Sequence, residues 1–194
     1  MFDKAMTTLI WYPGGKKGKY TVPNGIISIR SKAFNDCMEL TEISFPQSLL
    51  HIGSWHFNCE KLVNIAVNNL HPDYYSIDGV LFNKREHWLV EYPKGRADAN
   101  YIVPDRILGI SPQAFYGCKQ LVNIDLPESL EYIVDQAFAK CEGLKEITLP
   151  LALNYIGERA FMGCSALEKI VLSRRTRIGL HAFEGFSGEF VYLD

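Results

Sequence analysis

The chain has 194 residues, 47% of them apolar, and carries 20 Lys plus Arg against 22 Asp plus Glu. That composition supplies one substantial core and fits neither a disordered chain nor a membrane span. A formal charge of −2 leaves no basic excess to draw a polyphosphate backbone, which argues against nucleic acid as a partner.

Residues 1–22 become legible when laid on residues 81–104. Phe2, Lys4, Leu9, Tyr12, Pro13 and Gly15 match Phe82, Lys84, Leu89, Tyr92, Pro93 and Gly95 at an offset of 80, and Tyr20, Val22 and Pro23 match Tyr101, Val103 and Pro104 at 81. In the fuller copy, Asp78-Gly79 joins two apolar runs and favours a tight hairpin turn, because both residues tolerate positive φ. The first copy lacks that opening strand and turn. It reads as a partial hairpin and a first strand, as a truncated copy or a piece of a longer array would begin, with an unpaired edge expected near residues 1–12.

Two repeats follow over 23–67. The first carries Ile29, Ala33, Phe34, Cys37, Leu40, Ile43, Phe45 and Pro46; the second carries Ile52, Phe57, Cys59, Leu62, Ile65 and Val67, with His56 where the first has Ala. Residues 68–103 form the hairpin insert and a strand. Three more repeats fill 104–177: Ile110, Ala114, Phe115, Cys118, Leu121, Ile124, Leu126 and Pro127 recur as Ile133 to Pro150 and as Ile156 to Leu172. Phe115 to Phe138 and Phe138 to Phe161 are each 23 residues, which fixes the period. A degenerate terminal repeat, 178–194, keeps Ile178, Ala182 and Phe183 but places Phe186 where cysteine stood, as repeats with one neighbour often do. The whole of 1–194 is thus expected to be one repeat domain.

One such unit cannot bury its apolar side alone, whereas stacked copies lay Leu on Leu, Phe on Phe and Cys on Cys. The expected fold is a solenoid. Its Ile-x-Leu-Pro segments form a parallel β-ladder, its Ala-Phe-x-x-Cys-x-x-Leu runs form short helical or 3₁₀ turns on the opposite side, and a β-hairpin is inserted. The proline after each strand has no N–H to donate and ends the ladder. Cys37, Cys59, Cys118, Cys141 and Cys164 share one repeat position, so they are expected to be buried free thiols rather than bridges or metal ligands.

The pattern set out by Ile133 to Pro150 resembles the leucine-rich repeat of the bacterial surface-antigen type, called BspA-like. The insert Ile77 to Phe82 with Leu89 to Pro93 resembles segments found between repeats in that family. The resemblance implies a leucine-rich-repeat solenoid and a non-enzymatic, adhesion-type module, secreted or at a bacterial cell surface, that binds host-matrix or cell-envelope protein. The alternative is a structural spacer within a larger envelope assembly, self-associating through open solenoid ends. No basic leader or small-residue cleavage site heads the chain, so an intracellular location stays open.

No catalytic, cofactor or metal residues are expected. Pro13 to Lys19 has the glycines and lysines of a phosphate loop, but Tyr20 stands where Ser or Thr must hold the metal. The five histidines show no ligand spacing, and the acidic residues are scattered over repeat surfaces. Two binding surfaces are candidates. The first is the outward face of the ladder: Glu42, Ser44, Asn64, Ala66, Asn123, Asp125, Glu146, Thr148, Lys169 and Val171, which alternate with core positions and form a small, polar, mildly acidic strip that also suits a plain solvated face. The second is the aromatic set around Trp55, His56, Tyr74, Tyr75 and Trp88, with Trp55 in a polar-tolerant slot; packing of Trp55 on Trp88 without a partner is its simpler reading.

Overall fold

The structure, a computed structural model, describes residues 1–53 and 59–193. It comprises two compact units, Met1–Arg85 with Val90–Arg96 and Glu86–Leu89 with Ala97–Asp194. In both, the chain winds as a β-solenoid of stacked parallel strands. Among the described residues no helix forms, and so none is long and apolar enough to cross a membrane.

In the first unit Thr8–Leu9 (β1), Ser28–Ile29 (β3) and His51–Ile52 (β5) stack in the order β1-β3-β5, and Gly18–Thr21 (β2), Leu40–Phe45 (β4) and Asn64–Val67 (β6) in the order β2-β4-β6. The register places Leu9 beside Ile29 and Ile29 beside Ile52, while Tyr20, Ile43 and Ile65 form an inward column. Phe2 bridges Leu9 in antiparallel fashion, the two residues that correspond to Phe82 and Leu89. The full hairpin pairs Tyr74–Ile77 (β7) with Val80–Asn83 (β8) through Asp78 and Gly79, both at positive φ as the turn demands. Its turn reaches β6, where the Ile65 amide donates to the Gly79 carbonyl at 2.9 Å. The Phe34 ring packs against Tyr12, centroids 5.4 Å apart.

In the second unit Trp88 and Leu89 of Trp88–Glu91 (β9) pair with Gly109–Ile110 (β11), which continues through Tyr132–Ile133 (β13), Tyr155–Ile156 (β15) and Arg177–Ile178 (β17). The longer strands are Asn100–Ile102 (β10), Asn123–Asp125 (β12), Glu146–Thr148 (β14), Lys169–Ser173 (β16) and Glu189–Leu193 (β18); β10 pairs with β12, and β16 pairs with both β14 and β18. Phe115, Phe138, Phe161 and Phe183 form one file, with successive ring centroids 4.9, 5.1 and 5.4 Å apart and planes within 16°. All five cysteines are buried and unbridged, and Cys141 and Cys164 donate to the carbonyls of Phe115 and Phe138, one coil earlier, at 3.0 and 3.1 Å.

The expected helical runs over Ala-Phe-x-x-Cys are instead chains of separate turns. Bonds such as Ala114 N–H to Ser111 O, Tyr116 N–H to Gln113 O and Cys118 N–H to Phe115 O span three residues. The residue two before each phenylalanine, namely Lys32, Gln113, Gln136, Arg159 and His181, takes positive φ, and so does the residue two after it, namely Asp36, Gly117, Lys140, Gly163 and Gly185. Alternate amides are drawn to the next coil: Gln136, Phe138 and Lys140 donate to Glu158, Ala160 and Met162. A backbone whose donors are spent between coils has none left for a continuous helix.

Candidate functional site

The alternation along the long strands sorts side chains into two faces. Ile124, Ile147 and Ile170 point into the core, while Asn123, Asp125, Glu146, Thr148, Lys169 and Val171 point away from it. Parallel pairing in register aligns these outward residues into two columns, with Glu146 beside Lys169 and Thr148 beside Val171. One coil earlier, Asn100 and Ile102 sit beside Asn123 and Asp125, and the two asparagines are hydrogen-bonded at 2.7 Å.

On this face of the second unit lies a groove of about 640 Å³. It is lined by Asn100, Ile102, Asn123, Asp125, Glu128, Glu146, Thr148, Pro150, Leu151 and Leu193, among others. A smaller hollow of about 390 Å³ adjoins it and shares Asn123 and Glu146, with Lys145, Glu168, Lys169 and Glu189 on its walls. The larger groove has three carboxylates and no cationic side chain in its lining, and its border is apolar: Ile102 is 70% and Leu151 58% exposed. The smaller hollow is balanced more evenly, with two lysines facing three glutamates.

Asn123, Asp125, Glu146, Thr148 and Lys169 are therefore brought together on one concave surface. The remaining strip residues, Glu42, Ser44, Asn64 and Ala66, share a face of the first unit. There Glu42 is bonded to Lys19 at 2.9 Å, and Asn64 packs beside the Gly79 turn of the hairpin. Trp88 lies on neither strip. It belongs to the short-strand sheet, where its half-buried ring covers Gly109 and stacks on Tyr132 with centroids 6.3 Å apart and planes 18° apart. Glycine at 109 lets the indole lie close on the backbone, since a Cβ there would clash with the ring. Trp55 and His56 lie outside the described residues.

Sequence reasoning missed Ile102, Glu128, Leu151 and Leu193. Ile102 could have been found by carrying the outward register one coil back, because it holds the slot of Asp125 and Thr148. Glu128 and Leu151 each follow the proline that ends a strand, and nothing in the repeat pattern shows that this turn leans over the face.

The titratable groups with displaced pKa values lie away from the groove. Burial pushes the Cys141 thiol well up and holds that of Cys164 at about 12, so these thiols stay protonated and unreactive. Burial likewise raises the Glu91 carboxyl well above its usual range. His71 is held below its ordinary value by burial, and its Nδ1 accepts from the amides of Asp73 and Tyr74, both at 3.1 Å. Among the described residues no group of three or more His, Cys, Asp or Glu is arranged to hold a metal ion.

The repeats match the model of the BspA type leucine-rich repeat region in six copies, over residues 16–87 and 99–193. Among solved structures the chain is similar to the pneumococcal vaccine antigen PcpA, at 28% identity and a TM-score of 0.78, over 84% of this chain and 41% of that one. It is similar in fold to a leucine-rich-repeat protein of Eubacterium ventriosum, at 20% identity and a TM-score of 0.70, over 86% of this chain and 55% of that one. A leucine-rich cell surface protein of Faecalibacterium prausnitzii shares the fold at 23% identity and a TM-score of 0.57, over 91% of this chain and 59% of that one. The chain thus spans about two to three fifths of the length of these relatives. No curated protein matches it. The 23-residue period, the phenylalanine file and the six matched copies together place this chain in the BspA-type leucine-rich-repeat family.

Proposed function

We propose that this chain is a non-enzymatic protein-binding module of a bacterial surface or secreted protein, and that it binds through the long-strand face of its second unit. The observation that carries the reading is the groove itself: outward residues aligned in register, Asn123, Asp125, Glu146 and Thr148, form its polar floor between exposed aliphatic side chains. Exposed aliphatic groups gathered at one concavity and rimmed by polar residues are what a protein contact surface offers. The family and the likeness to a pneumococcal antigen support the surface setting.

The test is capture from envelope and host-matrix extracts with three proteins: the parent chain, a double variant Asp125→Lys with Glu146→Lys, and Arg177→Glu on β17 in the other sheet. The parent and Arg177→Glu should capture the same proteins and the double variant should lose them. Identical capture by all three overturns the reading. A spacer role is the second reading, favoured by the exposure of Ile178, Leu180, Phe190 and Tyr192 on the last coil, a surface suited to stacking against further repeats.

A further inference from the structure

We propose that the groove of the second unit receives an extended protein segment in which two lysine or arginine side chains at alternate positions are followed, at the next alternate position, by one aliphatic residue. The inference rests on the groove being the binding surface and adds the chemistry of its occupant.

Charge comes first. In the same unit Glu142 meets Lys119 at 3.0 Å, and Glu158 and Glu184 meet Arg159. Asp125, Glu128 and Glu146 have no ion-pair partner among the described residues, and no cation lines the groove beside them. Asp125 and Glu128, together with Glu146 on the side that Lys169 flanks, give the groove a net negative potential, which draws and orients a cationic partner.

Spacing comes second. Asp125 and Glu146 stand on adjacent coils, two strand positions out of step, so strand spacing and rise put them about 8 Å apart. Alternate residues of an extended segment are about 7 Å apart and point the same way. Two cationic side chains separated by one residue therefore reach both carboxylates.

The apolar border supplies the third element. Ile102 and Leu151 are large aliphatic groups left in water on the border of the same groove, and an aliphatic residue of the partner would cover them. The peptide groups of β10 and β12 pair with each other, as do those of β14 and β16, and the groove presents the side chains of these strands. Recognition here comes from charge and the aliphatic contact.

The test uses fluorescence anisotropy of the full chain with labelled short peptides that carry lysine, lysine and leucine at successive alternate positions with threonine between them. Companion peptides carry arginine for lysine, glutamate for lysine, or glycine for leucine. The lysine and arginine peptides should bind, the glutamate peptide should not, and binding should weaken as salt rises. Asp125→Asn, Glu128→Gln and Glu146→Gln should each weaken the lysine peptide by about two- to fivefold. Ile102→Ser should weaken the leucine peptide and leave the glycine peptide unchanged. All four positions are exposed, and unchanged melting curves confirm that the variants fold. Equal binding of the glutamate peptide, indifference to the three carboxylate variants, or displacement by calcium but not by sodium chloride of equal ionic strength overturns the proposal. If no peptide binds while capture from extracts still depends on Asp125 and Glu146, the cationic occupant is wrong and the surface stands. If capture ignores those residues, the surface itself is wrong.

Discussion

The Cys141 thiol donates to the carbonyl of Phe115, one coil earlier, at 3.0 Å, and that same carbonyl accepts the amide of Cys118 at 3.1 Å. One oxygen thus closes the turn of its own coil and ties down the next. Cys164 repeats the arrangement with Phe138 at 3.1 Å. The cysteine position is in this sense a link between coils, and a small weakly polar side chain is what fits it.

The phenylalanine file carries the stacking. Phe138 is fully buried between Phe115 and Phe161, with its ring plane 13° and 6° from theirs. Phe138→Ala should cost about 3–5 kcal/mol in urea unfolding, the usual range for a large core truncation. A loss below about 1 kcal/mol would mean that the file is not structural.

The positive-φ slots make a separable prediction. Gly163 has φ 74°, and a Cβ there would meet Lys140 Cγ at an ordinary 3.6 Å, so space is available and only the backbone resists. Gly163→Ala should therefore destabilise by about 1–2 kcal/mol. Gly15→Ala, which has open space around it and no positive φ, should be neutral or slightly stabilising. Equal effects at the two sites would contradict the account of why these turns do not become helix.

How far the sequence could be read depends on what a repeat position records. Ile133, Phe138, Cys141, Leu144 and Ile147 recur because each touches its own copy in the next coil, and all are buried in the structure as that logic requires. The backbone slots at Gln136 and Lys140 recur just as regularly, but they hold Gln, Arg, Lys and Asp as well as Gly, so residue type does not betray their φ. The groove was half legible. The period-2 alternation yields Asp125 and Glu146, whereas Glu128 and Leu151 join them only because of how the turns lie over the face, which no spacing encodes. Trp88, a candidate binding aromatic, has its ring engaged with Gly109 and Tyr132.

That engagement is itself measurable. Gly109→Ala should push the Trp88 ring off the sheet and shift tryptophan emission to the red. The difference should vanish in a Trp88→Phe background. An unchanged spectrum would show that the indole does not lie over Gly109.

His71 confers a pH dependence with a definite sign. Its ring is 1% exposed, and burial holds its pKa below the ordinary 6.5; Asp73 and Lys84 are the charged groups that act on it. Nδ1 accepts two amides, and protonation there would set an N–H against two N–H donors. Because the folded pKa lies below the unfolded one, the stability due to neutral His71 is fully present above 6.5 and declines as pH falls from there towards the folded value. Denaturation midpoints should drop on acidification through this window, and His71→Gln, which accepts without titrating, should flatten that part of the slope. An identical slope in the variant would assign the effect to other groups.

The most direct test of the binding surface is amide hydrogen exchange of the chain with and without the lysine–leucine peptide in excess. Protection confined to residues 100–102, 123–128 and 146–151 is the predicted result. Protection centred on the short-strand sheet around Trp88, Tyr132 and Tyr155, or none anywhere, would contradict it.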